Sequence, residues 1–187
     1  MIRPLDADTS EVLDLRLRLT QAEAEAADAL FERTAADHRT VWALTLFGAV
    51  SRLWEAGTLE GLYAALDEIV FAVLGGRRIA IYLREPGRAE LSLVHSSAPG
   101  HVPAPSAILG EGTIGRATAE RRTINGVVPG SSGQMLAVPL GASPEAIGSL
   151  VLYAAPEVAA LDADELQFIE IVCRHAGNAI LVYSDLP

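Results

Sequence analysis

The chain has 187 residues, half of them hydrophobic, and its 24 acidic and 14 basic side chains give a net charge of −10. That length suits one ordinary domain with an appendage, and the charge opposes non-specific binding to nucleic acid or an anionic membrane, because like charges repel. The single cysteine, Cys173, excludes an intrachain disulfide and fits a reducing, cytoplasmic compartment. The polar, acidic start MIRPLDADTSEV is unlike a signal peptide, and no apolar run approaches the roughly 20 residues of a membrane helix.

Asp8 and Glu11 have capping-box spacing, and a long helix is predicted from there to about Arg39. Val12, Leu15, Leu19, Ala22, Ala26 and Ala29 recur three and four apart, a heptad seam. The alternation of Leu13, Leu15, Leu17 and Leu19 would also suit a strand, but the following QAEAEAADAL is rich in helix formers and holds no β-branched residue. Residues 41–54 continue or restart as an apolar helix, which Gly57 ends. Thr58 is placed to cap the next helix, whose face is Leu62, Ala65, Leu66, Ile69, Val70 and Val73. Gly75 and Gly76 stop it.

The period then changes to two. Ile79, Ile81 and Leu83 alternate with Ala80 and Tyr82, the turn EPGR follows, and Leu91, Leu93, His95 and Ser97 alternate with Ser92, Val94 and Ser96. This predicts an antiparallel hairpin. Residues 98–107 hold three prolines and a glycine and read as a loop. A short helix over 113–121, a short strand over 122–125, a Gly/Pro/Ser loop over 126–133 and a second hairpin from 134–140 and 146–154 follow. Asp162 and Glu165 repeat the capping-box spacing, and the last helix runs to about Tyr183. Its seam is Leu166, Ile169, Cys173, Ala176, Ile180 and Tyr183.

The order predicts an α+β fold, an antiparallel sheet with helices on one face, preceded by a long N-terminal helix. Two regions follow: 1–39, a dimerisation or signalling helix, and 40–187, the sheet domain. Two seams exceed what one sheet face needs. They predict a homodimer through a parallel helical bundle, with Val12, Leu15, Leu19, Ala22, Leu166, Ile169, Cys173 and Ile180 at its interface. The alternative is that one seam packs on the chain's own sheet.

The chemistry-bearing residues are sparse. His38, His95, His101 and His175 have no partner ligands at metal spacing, so no metal is expected. Ser96, Ser97, Ser131 and Ser132 lie in no G-x-S-x-G elbow. Arg116, Arg121 and Arg122 cluster, as a solvated face does. The run GEGTIG lacks the lysine of a phosphate loop and the spacing of a dinucleotide fold. Two readings of it stand: the N–H groups of Thr113, Ile114 and Gly115 receive a ligand's polar end, or the glycines only shape a turn. His95 and Ser97 share a strand face with Leu91 and Leu93 and line the same pocket if that face looks inward.

From about residue 40 to 182 the chain resembles a GAF domain. The carriers are RRIAIYLRE with ELSLVHSSA, LGEGTIGRATAERRTI, QMLAVPL, AIGSLVLYAA and ELQFIEIVCRHAGNAIL. The resemblance implies an antiparallel-sheet sensory module, often dimeric through terminal helices, that binds cyclic nucleotides, tetrapyrroles, other small molecules or only a partner protein. Three departures matter. The Asn-Lys…Phe…Asp-Glu signature of cyclic-nucleotide members is missing, and a covalent bilin needs a pocket cysteine. The related free methionine sulfoxide reductases need pocket cysteines too, whereas Cys173 falls on a helical seam. The stretch 126–133 is short where many ligand-binding relatives have a longer, pocket-closing segment.

The expectation is therefore a non-catalytic, cytoplasmic, homodimeric signalling or regulatory protein without a cofactor. With no output domain after the last helix, it would act on a separate output protein through protein–protein contacts. The alternative is a sensor of a nucleotide or metabolite in the pocket at His95, Ser97, Thr113, Ile114 and Gly115; an enzyme such as a methionine sulfoxide reductase ranks below both.

Overall fold

The computed structural model describes residues 7–75, 77–97, 103–130, 133–141, 146–154 and 160–184; in the first helix, side chains are described at 21, 25, 27, 30, 32–34 and from 36 onward. The elements are α1 (Ala7–Glu55), α2 (Leu59–Val73), β1 (Arg78–Arg84), β2 (Glu90–Ser96), β3 (Ser106–Ile108), α3 (Gly112–Glu120), β4 (Ile124–Val127), β5 (Gln134–Leu140), β6 (Gly148–Ala154) and α4 (Ala163–Ser184). Two compact units divide the chain, residues 1–45 and 46–187. The first is helical over its described part. Its side chains at Val12, Leu15, Leu19 and Ala22, and the Asp8–Glu11 pair, lie outside the described residues.

In the second unit the strands form one antiparallel sheet in the order β3-β2-β1-β6-β5-β4. The last turns of α1, with α2 and α4, cover one face. Leu53 of α1, Leu62, Leu66 and Val70 of α2, and Phe168, Ile169 and Val172 of α4 are all buried. They meet Ile79, Ile81, Val138, Leu150 and Leu152, which share that face because paired residues project to one side. Tyr183 fixes α4 to α1 by donating from Oη to the Trp54 carbonyl (2.7 Å). Short α3 covers the opposite face.

The predicted caps of α2 and α4 form. Thr58 Oγ1 accepts the Gly61 N–H (3.1 Å) at the start of α2. Asp162 Oδ1 accepts the Glu165 N–H (2.8 Å), and Glu165 Oε2 accepts the Asp162 N–H (3.0 Å), a reciprocal capping box. α4 lies unusually close to the sheet. A Cβ on Gly177 would stand 2.1 Å from the Gly141 nitrogen, so no side chain fits there.

Of the two readings of residues 41–54, continuation holds: α1 runs unbroken from Ala7 to Glu55. Two boundaries differ from the sequence reading. β4 lies two residues later than predicted. Residues 106 and 107, read as loop, join Ile108 in β3 against Glu90–Ser92. Both are decided by a partner strand, which local composition does not report.

Candidate functional site

The β1–β2 pairing contains an irregularity that reorganises the expected pocket. Tyr82 pairs with Leu93, but its neighbour Ile81 pairs with His95, which leaves Val94 as an extra, bulged residue. A one-residue slip moves every later side chain to the other face. Leu91 and Leu93 therefore face α3, while His95 and Ser97 face the helices. The His95 ring stacks on Tyr63 of α2 with centroids 5.6 Å apart, and its Nε2 is buried without a hydrogen-bond partner. Ser97 Oγ accepts the Ile79 N–H (3.1 Å). The two residues thus lie across the sheet from Thr113, Ile114 and Gly115, and the five do not form one pocket. The even alternation assumed for β2 fails at Val94.

The face beneath α3 is filled by the chain's own side chains. Tyr82, Met135, Val151, Ala137 and Leu91 form a buried cluster with Ala117 of α3, and Ile114 and Tyr153 pack against it. Tyr82 Oη donates to the Ala104 carbonyl (2.8 Å), and the Tyr153 hydroxyl hydrogen-bonds to Tyr82. Burial pushes both phenols above their ordinary value. The hydrogen bond from Tyr153 offsets part of this in Tyr82, whereas the charge that Tyr82 would carry raises Tyr153 further. Both rings stay neutral hydrogen-bonding groups at ordinary pH.

α3 is pinned at several points. Thr118 Oγ1 and Ser149 Oγ lie 2.7 Å apart in the interior, tying α3 to β6. Thr113 sits against Gly126 of β4. Gly115 is buried, and a Cβ there would stand 1.7 Å from the Ile108 carbonyl oxygen; its own carbonyl accepts the Gly110 N–H (2.9 Å). The bare Cα of Gly115 thus permits the close approach of α3 to Ile108. On the outer face Glu120 accepts from Arg116 (2.8 Å) and Arg122 (2.6 Å), in that order of effect, and they hold its carboxyl below the usual range.

The α4 seam lies inside this chain. Ile169, Cys173 and Ile180, expected at a subunit interface, are buried among the chain's own helices and sheet. Leu166 is half-buried beside the strands. Burial, and then the nearby Glu170 carboxylate, keep the Cys173 thiol protonated far above its ordinary range. Among the described residues no group of three or more His, Cys, Asp or Glu is placed to hold a metal ion, and no helix is long and apolar enough to cross a membrane. His101, Ser131 and Ser132 lie outside the described residues.

Sequence reasoning missed a cleft of about 330 Å³ on the helix face, where β4, β5 and β6 extend past the first turns of α4. Its buried Arg77 carried a legible signal: a charged residue placed directly before an apolar strand.

An antiparallel six-stranded sheet with a helical layer on one face and a short helix over the other defines the class of fold as α+β. A family model described as GAF domain matches residues 58–181, and the chain belongs to the GAF domain family. Solved structures share the fold at low identity. The GAF domain of an Acinetobacter phosphoenolpyruvate-protein phosphotransferase has 19% identity and a TM-score of 0.64, over 77% of this chain and 95% of that one. A putative GAF sensor protein from Burkholderia vietnamiensis has 20% identity and a TM-score of 0.62, over 78% and 92%. The free methionine-R-sulfoxide reductase of Neisseria meningitidis, in complex with its substrate, has 17% identity and a TM-score of 0.63, over 78% and 91%. Comparison with curated protein sequences gives no match.

Proposed function

We propose that this GAF domain is a non-catalytic, cytoplasmic regulatory module, a homodimer joined through α1, that acts on a separate output protein by protein–protein contact. One observation carries the reading: Phe47 and Trp54 of α1 are 72% and 43% exposed. Phe47 and Trp54 are seven residues apart and so share one face of α1; the same seven-residue frame holds Val12, Leu19 and Ala26 earlier in the sequence, with Arg33 and Thr40 between. Large apolar groups left in water are stabilised by covering them. The α4 seam is already covered by this chain, so the proposed interface rests on α1.

Two features support the non-catalytic part. The lone thiol is buried and held protonated, and a thiolate is the reactive form. The space beneath α3, where the sequence reading placed a pocket wall, is filled by Tyr82, Tyr153 and Met135.

Sedimentation of the purified chain tests the dimer. We expect a dimer for the wild type and a monomer for Phe47→Glu with an unchanged circular dichroism spectrum; a monomeric wild type, or a dimeric variant, overturns the proposed interface. Affinity capture should return a stable partner. A co-purified metabolite under α3, with no partner, would favour a sensor instead.

A further inference from the structure

The strand order leaves two edges, β3 and β4, and the chain treats them differently. β3 is three residues long and follows Pro103 and Pro105, so it offers a further strand little backbone. β4 has no such guard. Residues 123–128 (TINGVV) hold no charge and no proline, and β4 pairs with β5 in unbroken register. The Val128 N–H donates to the Gly133 carbonyl (2.9 Å), which sets the phase of this ladder. Hydrogen bonds alternate along an antiparallel strand, so Ile124 and Gly126 turn their backbone groups to β5, and Asn125 and Val127 turn theirs away from the sheet. Among the described residues no strand meets them, and Val127 is 65% exposed.

The side chains of Asn125 and Val127 lie on the helix face, because their partners Leu136 and Gln134 line the cleft of about 330 Å³ described above, as does Asn125 itself. A strand added to β4 would run about 4.8 Å beyond Asn125. Every second side chain of it would stand on the helix face beside the cleft, whose apolar surface is Leu136, Leu152, Leu161 and Leu166. An open edge with a pocket beside it is the arrangement of strand-addition recognition: main-chain bonds give affinity, and the pocket selects side chains. Charge then selects the flanking residues. Gln134, opposite Val127, lines the cleft together with Leu161 and Leu166, so the Val127 end of the edge lies by the start of α4. That start carries Asp162, Asp164 and Glu165. Asp162 and Glu165 accept each other's backbone N–H groups, and none of the three has a cationic partner among the described residues. The Thr123 end is mixed, with Arg121, Arg122 and Arg174 around Glu170 and Arg122 engaged by Glu120, so it favours neither sign. In a chain of net charge −10, the Val127 end therefore favours a cation.

We infer that the β4 edge docks an extended segment of a partner protein, with an aliphatic side chain beside the leucine cleft and a lysine or arginine next to Val127. The partner's backbone pairs with the outward N–H and C=O groups of Asn125 and Val127. This inference rests on the reading that the chain acts by protein–protein contact. It does not need the dimer, because no residue of this surface lies on α1.

Panning the full chain against a displayed library of random ten-residue peptides tests it. We expect the enriched peptides to alternate aliphatic with polar residues and to carry lysine or arginine toward one end. Amide hydrogen exchange then reads the mode of binding. In the free chain the Asn125 and Val127 N–H groups should be less protected than that of Gly126, and the enriched peptide should slow their exchange at least tenfold. Val127→Lys, at an exposed position, and Asn125→Pro, which removes an outward N–H and no ladder bond, should each weaken the peptide at least tenfold and keep the wild-type melting transition. Enrichment of acidic peptides, of peptides with apolar residues three and four apart, or of none overturns the assignment, as does undiminished binding by a folded Val127→Lys variant. Asn125 and Val127 amides protected without peptide, at all protein concentrations or only at high ones, would show the edge covered by this chain or by a second copy, and overturn it equally. A monomeric wild type in sedimentation removes the α1 dimer and leaves this edge untouched. A captured partner that binds Val127→Lys as well as the wild type removes this docking mode and leaves the regulatory reading standing, so the two proposals fail separately.

Discussion

The imidazole of His95 stacks on the phenol of Tyr63, 5.6 Å between centroids, on the face of the sheet opposite α3. That contact exists because Val94 is bulged out of the β1–β2 ladder. Its buried Nε2 has no hydrogen-bond partner. Replacing His95 by Phe keeps the stacked ring and removes the unpaired nitrogen. We expect a stability gain of about 1 kcal/mol, the lower end of the cost of an unsatisfied buried polar group. Urea unfolding measures it; a lower midpoint for His95→Phe would show that the nitrogen is satisfied.

The pin between α3 and β6 should behave as a coupled pair. Thr118→Val leaves Ser149 with only the Ile114 carbonyl, at 3.4 Å, as a partner. Each of Thr118→Val and Ser149→Ala is expected to destabilise by about 1 kcal/mol. The double variant should lose less than the sum, because it removes both hydroxyls together. Strict additivity in a double-mutant cycle would mean that the 2.7 Å contact contributes nothing.

Gly177 sets the distance between α4 and the end of β5. Adding one methyl places a carbon 2.1 Å from backbone at Gly141, which has no flexible side chain to move aside. Gly177→Ala gains helix propensity but should still lose about 3 kcal/mol net, at the upper end for overpacking. Thermal unfolding decides it: an unchanged or raised Tm contradicts this packing.

Alkaline pH should weaken the fold through four groups. Cys173, Tyr63, Tyr82 and Tyr153 all have their protonated forms favoured by burial in the folded chain. A raised folded-state pKa contributes stability that is complete below the unfolded value and fades as pH rises above it. The loss should therefore begin near pH 9, the ordinary value of a thiol, and steepen above 10, that of a phenol. Unfolding free energies from pH 7 to 11 test the slope. Cys173→Ala should remove the first part of the decline and leave the second.

The elements themselves were largely legible. The period-two run from Ile79 to Leu83, the one-sided set Leu62, Leu66, Ile69 and Val70, Thr58 as a cap and the Asp162–Glu165 box all depend on residues a few positions apart. Short-range geometry makes such patterns readable, and the GAF resemblance rested on them. The seam on α4 was also legible as a stripe, but a stripe does not say what covers it. Here the covering surface is the chain's own sheet.

The site was not legible in the same way. Whether His95 looks toward α3 or α2 turns on one unpaired residue, Val94, and pairing is a property of two strands at once. β3 exists only because Glu90–Ser92 offers it an edge. Tyr82, Tyr153 and Met135 are ordinary strand residues until the sheet brings them together beneath α3. Arg77 and Arg122 are 45 residues apart in sequence and line one cleft only because three strands, β6, β5 and β4, follow β1 in the sheet. Sequence by itself determined the class of fold, the negative charge and the lack of an available thiol pair. Tertiary structure alone decided which face each polar group serves, because facing depends on register, and register is set by partners far away along the chain.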